Sequence, residues 1–279
     1  SFILHLVTSL PLVLLYLFNF ESNFILRISG YPKLNKFRKF LWKISAEKLK
    51  SITCPSKELK SQLEEKNIFV SKKLFYLPDA IISLKEFSKL NKKVYTKLDI
   101  AENKKIFLAA GRLTRQKNFS YLINEFSNFI KINKDFVLII LGEGEERKSL
   151  LKIIREKKME KYIFLLGYKK DVYDIMKRSS AFILSSLWEE MGFVIIEAAM
   201  NNLYVMSSNC PNGPKEFLNY GDNGILFSNN LPNALFESFQ KFSKTKPEKI
   251  FDDKIQLKKN SKKFTKFQHF LRLVDIVEC

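Results

Sequence analysis

Glu189 and Glu197 are the side chains whose spacing points most directly to chemistry. They stand eight positions apart in Ser185–Met200, SSLWEEMGFVIIEAAM, with Met191-Gly192-Phe193 after the first and the apolar run Val194-Ile195-Ile196 leading into the second. A helix beginning near Gly192 places Glu189 in the loop facing the helix N-terminus and Glu197 a little over one turn inside, so both carboxylates can face one cleft. The first N–H groups of such a helix are unpaired and carry a partial positive charge, which suits a phosphate. Carboxylates beside that point serve neighbouring hydroxyls instead, as on ribose or a sugar ring.

Those residues need a scaffold, and the chain around them supplies one. Apolar strands are expected at Ile106–Ala110, Phe136–Leu141, Tyr162–Leu166, Ala181–Leu184 and Leu203–Ser207, alternating with helices at Asn118–Lys131, Glu145–Lys157, Asp171–Lys177, Phe193–Met200 and Leu231–Phe242. Near-continuous apolar strands joined by helices make a parallel sheet covered on both faces, and ligands bind at the C-terminal ends of its strands. An earlier region also alternates, with strands at Phe24–Ile28, Ser51–Cys54 and Lys73–Leu77 and a helix at Ser56–Glu65. The polar, Lys-rich stretch Leu84–Asn103 is the expected linker. The tail Gln256–Cys279 reads as one long basic-apolar helix.

Two segments leave alternatives open. Ser1–Phe20 has no Asp, Glu, Lys or Arg and is long enough to span a bilayer, yet His5, Thr8-Ser9 and Pro11 favour a strand, a turn and a buried helix. Pro32–Lys50 reads as a helix whose Lys and Arg alternate with Phe37, Phe40, Leu41 and Trp42. It suits either an anionic membrane surface or an ordinary solvated face with aromatics packed inward.

Further candidate residues lie in the strand-end loops. Gly111 allows a tight turn, and Arg112 and Lys117, five apart before a helix, could together hold a diphosphate. Leu141-Gly142-Glu143-Gly144-Glu145-Glu146 has a Gly-x-Gly but lacks the third glycine of a dinucleotide fingerprint and is acidic where phosphates would sit, so it reads as a turn and helix N-cap. Gly167-Tyr168 offers a place for a nucleobase, and Ser207–Glu216 is a turn-rich loop opening a short helix.

Composition excludes several classes. With 279 residues, 46% of them hydrophobic, and 9 Gly and 8 Pro, the chain builds one large or two ordinary domains. A net charge of +19 favours anionic partners, but the lysines are dispersed and the aromatics fall in apolar strand runs, so no nucleic-acid partner is expected. Cys54, Cys210 and Cys279 form no motif, which fits a reducing cytoplasm without a disulfide framework. Having His5 and His269 alone argues against a His-based metal site or a Ser-His-Asp triad, and no Walker loop, GxSxG or HExxH is present.

GRLTRQKNF, LLGY, WEEMGFVIIEA, SSNCPNGPKE and GDNGILF, in this order, resemble retaining glycosyltransferases of family 4, in the glycosyl transferases group 1 superfamily. The likeness is strong over about Lys104–Asn230 and extends through RISGYPKLN and FYLPDAII weakly back to Phe24. It implies the α/β GT-B fold: two Rossmann-like, doubly wound domains facing a cleft. Residues 1–95 would be a partial acceptor-side domain, 96–245 the nucleotide-sugar domain and 246–279 a helix crossing back.

The same resemblance implies roles. Arg112 and Lys117 would neutralise the diphosphate, Glu197 contact ribose, Glu189 contact the donor sugar, and the backbone at Gly192, Phe193 and Val194 lie near sugar and phosphate. Glu189, Arg112 and Lys117 are the expected catalytic group, with Gly167 and Tyr168 completing the donor site. The implied reaction moves a hexosyl or N-acetylhexosaminyl group, with retention, from a nucleotide sugar of UDP type to a hydroxyl of a lipid-linked or polysaccharide acceptor in cell-surface glycan synthesis. No cofactor or metal is expected, and the place of work is the cytoplasm, peripheral to the inner membrane face through residues 32–50.

Departures from the family pattern are specific. Glu190 replaces the commoner glycine after the first Glu, and Ser29 stands where many members carry a catalytic-site His. The usual opening strands and glycine-rich loop are not seen and the chain starts at Ser1, so amino-terminal truncation is expected. His5, Arg27 and Ser29 are then the acceptor-side candidates. The alternative is a nucleotide-sugar-binding fragment or pseudoenzyme that performs no transfer.

Overall fold

The computed structural model describes all residues except 6–9, 33–34, 86–87, 89–99, 102, 171, 230 and 279. Thr8, Ser9, Lys33, Asp171, Asn230, Cys279 and most of the expected linker thus lie outside the described residues. The chain forms two compact units, one of Ser1–Ala80 with Lys263–Cys279 and one of Ile81–Lys262.

In the first unit a parallel sheet has the order β1 (Phe2–His5), β2 (Phe24–Arg27), β3 (Ser51–Cys54), β4 (Leu74–Tyr76). Helices α1 (Leu10–Leu17), α2 (Lys36–Ser45) and α3 (Lys57–Glu65) connect them. Leu12, Leu15, Leu41, Trp42, Leu59 and Leu63 of these helices bury against Leu26, Ile52, Cys54 and Leu74. Right-handed crossovers that all step the same way put their helices on one face, and this core is that face. The opening segment is therefore a strand and a short helix. Among the described residues no helix is long and apolar enough to cross a membrane.

Two helix expectations are corrected. The helix expected over Pro32–Lys50 begins at Lys36, because Asn35 Oδ1 accepts from Arg38 N at 2.7 Å and caps it there; Ala46–Lys48 then tightens to a 3-10 turn. Its aromatics divide, Trp42 fully buried while Phe37 and Phe40 are exposed. The tail is two helices rather than one, Pro247–Ser261 in the second unit and Lys266–Glu278 in the first. Between them a 3-10 turn, Lys262–Phe264, is followed by Thr265, whose Oγ1 accepts from Gln268 N at 3.3 Å and starts the last helix afresh.

The second unit holds a six-stranded parallel sheet of β5 (Lys105–Ala110), β6 (Phe136–Leu141), β7 (Ile163–Gly167), β8 (Ala181–Leu184), β9 (Tyr204–Ser208) and β10 (Ile225–Phe227). Its order is β10-β9-β8-β5-β6-β7, so the winding reverses between β5 and β8, the place where a doubly wound sheet opens a crevice. The expected helices appear as α4 (Phe119–Ile130), α5 (Arg147–Glu156), α6 (Val172–Arg178), α7 (Phe193–Met200) and, after the short α8 (Pro214–Phe217), α9 (Ala234–Lys244), with α7 at its expected bounds and the others shifted by one to three residues at their ends. β10 was hidden in sequence, since three residues after a Gly-Asp-Asn-Gly turn show no periodicity.

Phe107 anchors this unit. Its ring meets Phe136 at 4.6 Å, Phe239 at 4.9 Å, Phe242 at 5.4 Å, Phe129 at 6.1 Å and Phe126 at 6.2 Å, joining the central strand to α4 and α9. Truncating a ring so enclosed leaves a cavity that its rigid neighbours cannot close. Phe107→Ala is expected to lower unfolding free energy by about 3–5 kcal/mol in a denaturant titration.

Candidate active site

The crevice at the reversal is built from the ends of four strands, β5, β6, β7 and β8. After β5, Gly111–Thr114 leads into a 3-10 turn at Arg115–Lys117, and Asn118 in the left-handed region turns the chain into α4. After β8, the loop Ser185–Gly192 leads into α7, whose N-cap Gly192 lies at φ 69, ψ 57. Glycine adopts that conformation without strain, and the first residues of α7, Phe193 and Val194, line the cavity beside it. Between them sits a cavity of about 1030 Å³.

Arg112, Lys117, Tyr168, Glu189, Gly192, Phe193, Val194 and Glu197 all line this cavity. Gly167 does not line it; it is buried at the end of β7 with φ 71, one residue behind Tyr168. Lys117 Nζ lies 2.5 Å from Glu189 Oε1, with the side chains 15% and 8% exposed. Ser186 Oγ donates to the same oxygen at 2.5 Å, and Ser185 Oγ donates to the Lys117 carbonyl at 2.7 Å. The pair is thus locked from both loops. Arg112 is exposed on the wall.

Glu197 accepts from Tyr173 Oη at 3.1 Å. Burial pushes its pKa above the ordinary carboxylate value, and the Tyr173 bond partly opposes that rise. Counting the wall, the carboxylates Glu143, Glu189, Glu190 and Glu197 outnumber the cations Arg112, Lys117 and Lys169 by four to three. Net charge alone will not hold an anion there. Holding one needs the directed N–H groups of α7 together with the cations, while the carboxylates suit hydroxyls.

The sequence reading passed over Gln116, Tyr173 and Trp188. Gln116 Nε2 donates to Trp188 O at 2.8 Å across 72 positions, and Tyr173 reaches Glu197 across 24, so neither pairing has a local signal. The stretch Leu141–Glu146 ends, as expected, in a turn with Glu146 as the N-cap of α5, although no side-chain cap bond forms there; Gly142 and Glu143 in addition line the cavity.

The remaining candidates are in the first unit, at the C-terminal ends of its strands. His5 and Arg27 are register partners on β1 and β2. Arg27 Nη1 is 3.2 Å from His5 Nδ1 and 3.3 Å from Nε2, a near-equal reach that sets the guanidinium nitrogen over the ring face. Arg27 Nη2 is ion-paired with the buried Asp79, and His269 Nδ1 meets the neighbouring Pro78 carbonyl at 2.6 Å. Ser29 follows β2, half-buried.

Against this geometry, the sequence family described as glycosyl transferases group 1 matches residues 91–264, more than half of the chain. The chain belongs to this family. Among curated relatives, the N-acetylgalactosamine-N,N'-diacetylbacillosaminyl-diphospho-undecaprenol 4-alpha-N-acetylgalactosaminyltransferase of Campylobacter jejuni is 28% identical over 172 residues, 62% of this chain and 44% of that one. The UDP-Gal:alpha-D-GlcNAc-diphosphoundecaprenol alpha-1,3-galactosyltransferase of Escherichia coli is 35% identical over 115 residues, 40% of this chain and 30% of that one. The chain therefore spans less than half the length of these two relatives. Anabaena HepE, solved in complex with UDP, superposes with a TM-score of 0.79 over 99% of this chain and 78% of its own, at 16% identity. That likeness is one of fold, and the fold is the α/β GT-B type.

Within this group 1 chain the crevice depends on loops that nearly touch. A Cβ built on Gly142, at φ 135, would lie 1.9 Å from the Gly111 carbonyl oxygen. Gly142→Ala is expected to cost about 3 kcal/mol or more in chemical unfolding, from backbone strain plus the displaced Gly111 loop.

Proposed function

We propose that the chain is the donor-binding part, with a portion of the acceptor side, of a retaining family 4 glycosyltransferase. It transfers a hexosyl or N-acetylhexosaminyl group from a UDP-sugar to a hydroxyl of a lipid-linked or polysaccharide acceptor in cell-surface glycan synthesis. The carrying observation is that Arg112, Lys117, Glu189, Glu197 and the N-terminus of α7 line one cavity at the sheet's reversal point.

In this reading residues 96–245 hold the donor, 1–95 contribute acceptor contacts through His5, Arg27 and Ser29, and the last helix of 246–279 returns to the first unit. The nucleobase lies by Gly167-Tyr168, ribose bonds Glu197, and the diphosphate meets Arg112, Lys117 and the N–H groups of Gly192, Phe193 and Val194. Glu189 takes the sugar hydroxyls. As the glycosidic bond to the diphosphate breaks, charge grows on the leaving oxygens, and preset cations and N–H dipoles lower that barrier. The reading needs no metal.

The Lys117–Glu189 contact adds a step. With Lys117 neutralised by a buried carboxylate, an arriving diphosphate shares the ammonium while sugar hydroxyls take over part of Glu189's bonding. The exposed Phe37 and Phe40 beside Lys36, Arg38, Lys39 and Lys43 on α2 support a peripheral place on the inner membrane face.

Calorimetry with UDP tests the donor site directly. In the complete gene product, Lys117→Ala is expected to cut turnover about a hundredfold or more. Because it also strands the buried Glu189 carboxylate, Arg112→Ala is the cleaner companion, lowering turnover at unchanged melting temperature. Turnover near normal in both variants would reject the role.

The raised pKa of Glu197 sets a pH dependence. The folded state keeps its proton to higher pH than the unfolded chain, so the contribution of Glu197 to stability falls as pH rises from the ordinary carboxylate value through the raised one. Ribose binding through the ionised form has the opposite slope. UDP affinity should drop on acidification at a pH above the usual carboxylate range, Tyr173→Phe should move that drop higher, and Glu197→Gln should remove this component.

A second reading rests on Ser29, which stands where the family resemblance places a His. The chain would then bind a nucleotide sugar without transferring it. UDP binding with no transfer by the chain, beside an active full gene product, would establish that reading.

A further inference from the structure

The loop that carries Glu189 is held unusually firmly. Leu187 N donates to Gln116 O at 2.8 Å, and Gln116 Nε2 returns a bond to Trp188 O at 2.8 Å. Ser208 Oγ and Asn229 Nδ2 both donate to Ser186 O, at 2.7 and 3.0 Å, and Ser186 Oγ is spent on Glu189. On this fixed backbone Trp188 lines the cavity and stays 49% exposed. Burying an indole is strongly favourable, and a rigid loop that keeps one in solvent holds it ready for something else.

The neighbours narrow what that is. Trp188 is followed directly by Glu189 and Glu190, both on the cavity wall. A flat apolar ring next to carboxylate acceptors matches a molecule with an apolar C–H face and a rim of hydroxyls. A pyranose is such a molecule: its C–H face stacks on the indole while its hydroxyls donate to the carboxylates. Tyr168, 76% exposed, lines the same cavity from the loop after β7, where the donor reading already uses it for the nucleobase.

We propose that Trp188 is a stacking platform for a pyranose ring, the residue that adds sugar recognition to a nucleotide-diphosphate site. This rests on the donor-site reading above. The ring can belong to the donor sugar or to the acceptor's terminal sugar, and the chemistry on the page is common to both.

The chain has two tryptophans, and Trp42 is fully buried against Phe69 with ring centroids 5.6 Å apart. The emission of the wild type minus that of Trp188→Phe therefore reports Trp188. UDP, UDP-glucose, and cellobiose in the presence of UDP are titrated into both proteins. A blue shift of the Trp188 component with UDP-glucose and not with UDP identifies the donor sugar; one that needs cellobiose identifies the acceptor ring. In parallel calorimetry, Trp188→Ala should lose about three- to tenfold in affinity for the responding sugar ligand while UDP affinity stays within twofold. If UDP binds but neither sugar ligand moves Trp188 emission, or if Trp188→Ala leaves sugar affinity unchanged, the platform is rejected. If the wild type fails to bind UDP, the donor-site reading itself falls, and the platform with it.

Discussion

Lys117 and Glu189 come from opposite sides of the point where the strand order of the second unit reverses, and their buried contact ties the two sides together. Lys117 ends the turn after β5, while Glu189 sits in the loop after β8. The carboxylate, mostly withdrawn from water, has a further partner in Ser186, and the Lys117 backbone is held by Ser185, which bonds its carbonyl. Opening the crevice requires both strands to present their loops side by side, and pairing of β5 with β8 at Phe107–Ala181 and Leu108–Phe182 does so. The ion pair then sets the spacing from which α7 and Arg112 face one cavity.

Beneath that contact the fold is ordinary α/β physics. β6 is apolar at all six positions because both faces are covered, and the Phe107 cluster fills the space between the central strands and two helices. Rigidity at the floor allows the loops above to be placed to within a hydrogen bond. Cys210 shows the same dry environment near the site: burial pushes its thiol up to about 11, so it stays protonated at neutral pH.

Much of this was legible in the sequence, for reasons particular to each element. The strands of the second unit showed themselves because a doubly covered sheet demands unbroken apolar runs. Helix α7 and its glycine turn were visible because Gly192 separates the loop from an apolar run of helical length. The start of α2 was not, since a proline looked like a first-turn residue while the deciding bond was made by Asn35. The break in the tail was likewise hidden, Thr265 being one polar residue in a stretch rich in lysine. In the site, carboxylates and cations could be named one by one, but Tyr173, Gln116 and Trp188 gain meaning only from partners far along the chain.

The wall of the cavity carries more carboxylates than cations, in a chain whose net charge is +19. Encounter and retention are therefore governed by different parts of the molecule. The long-range field gathers anions of every kind and is screened by salt. In the donor-site reading, staying bound depends on Arg112, Lys117 and the N–H groups of α7 for the phosphates and on the carboxylates for the hydroxyls. Association rates will follow ionic strength, whereas residence times will follow the number of hydroxyls a ligand can offer, so that selectivity is exercised on departure rather than on arrival.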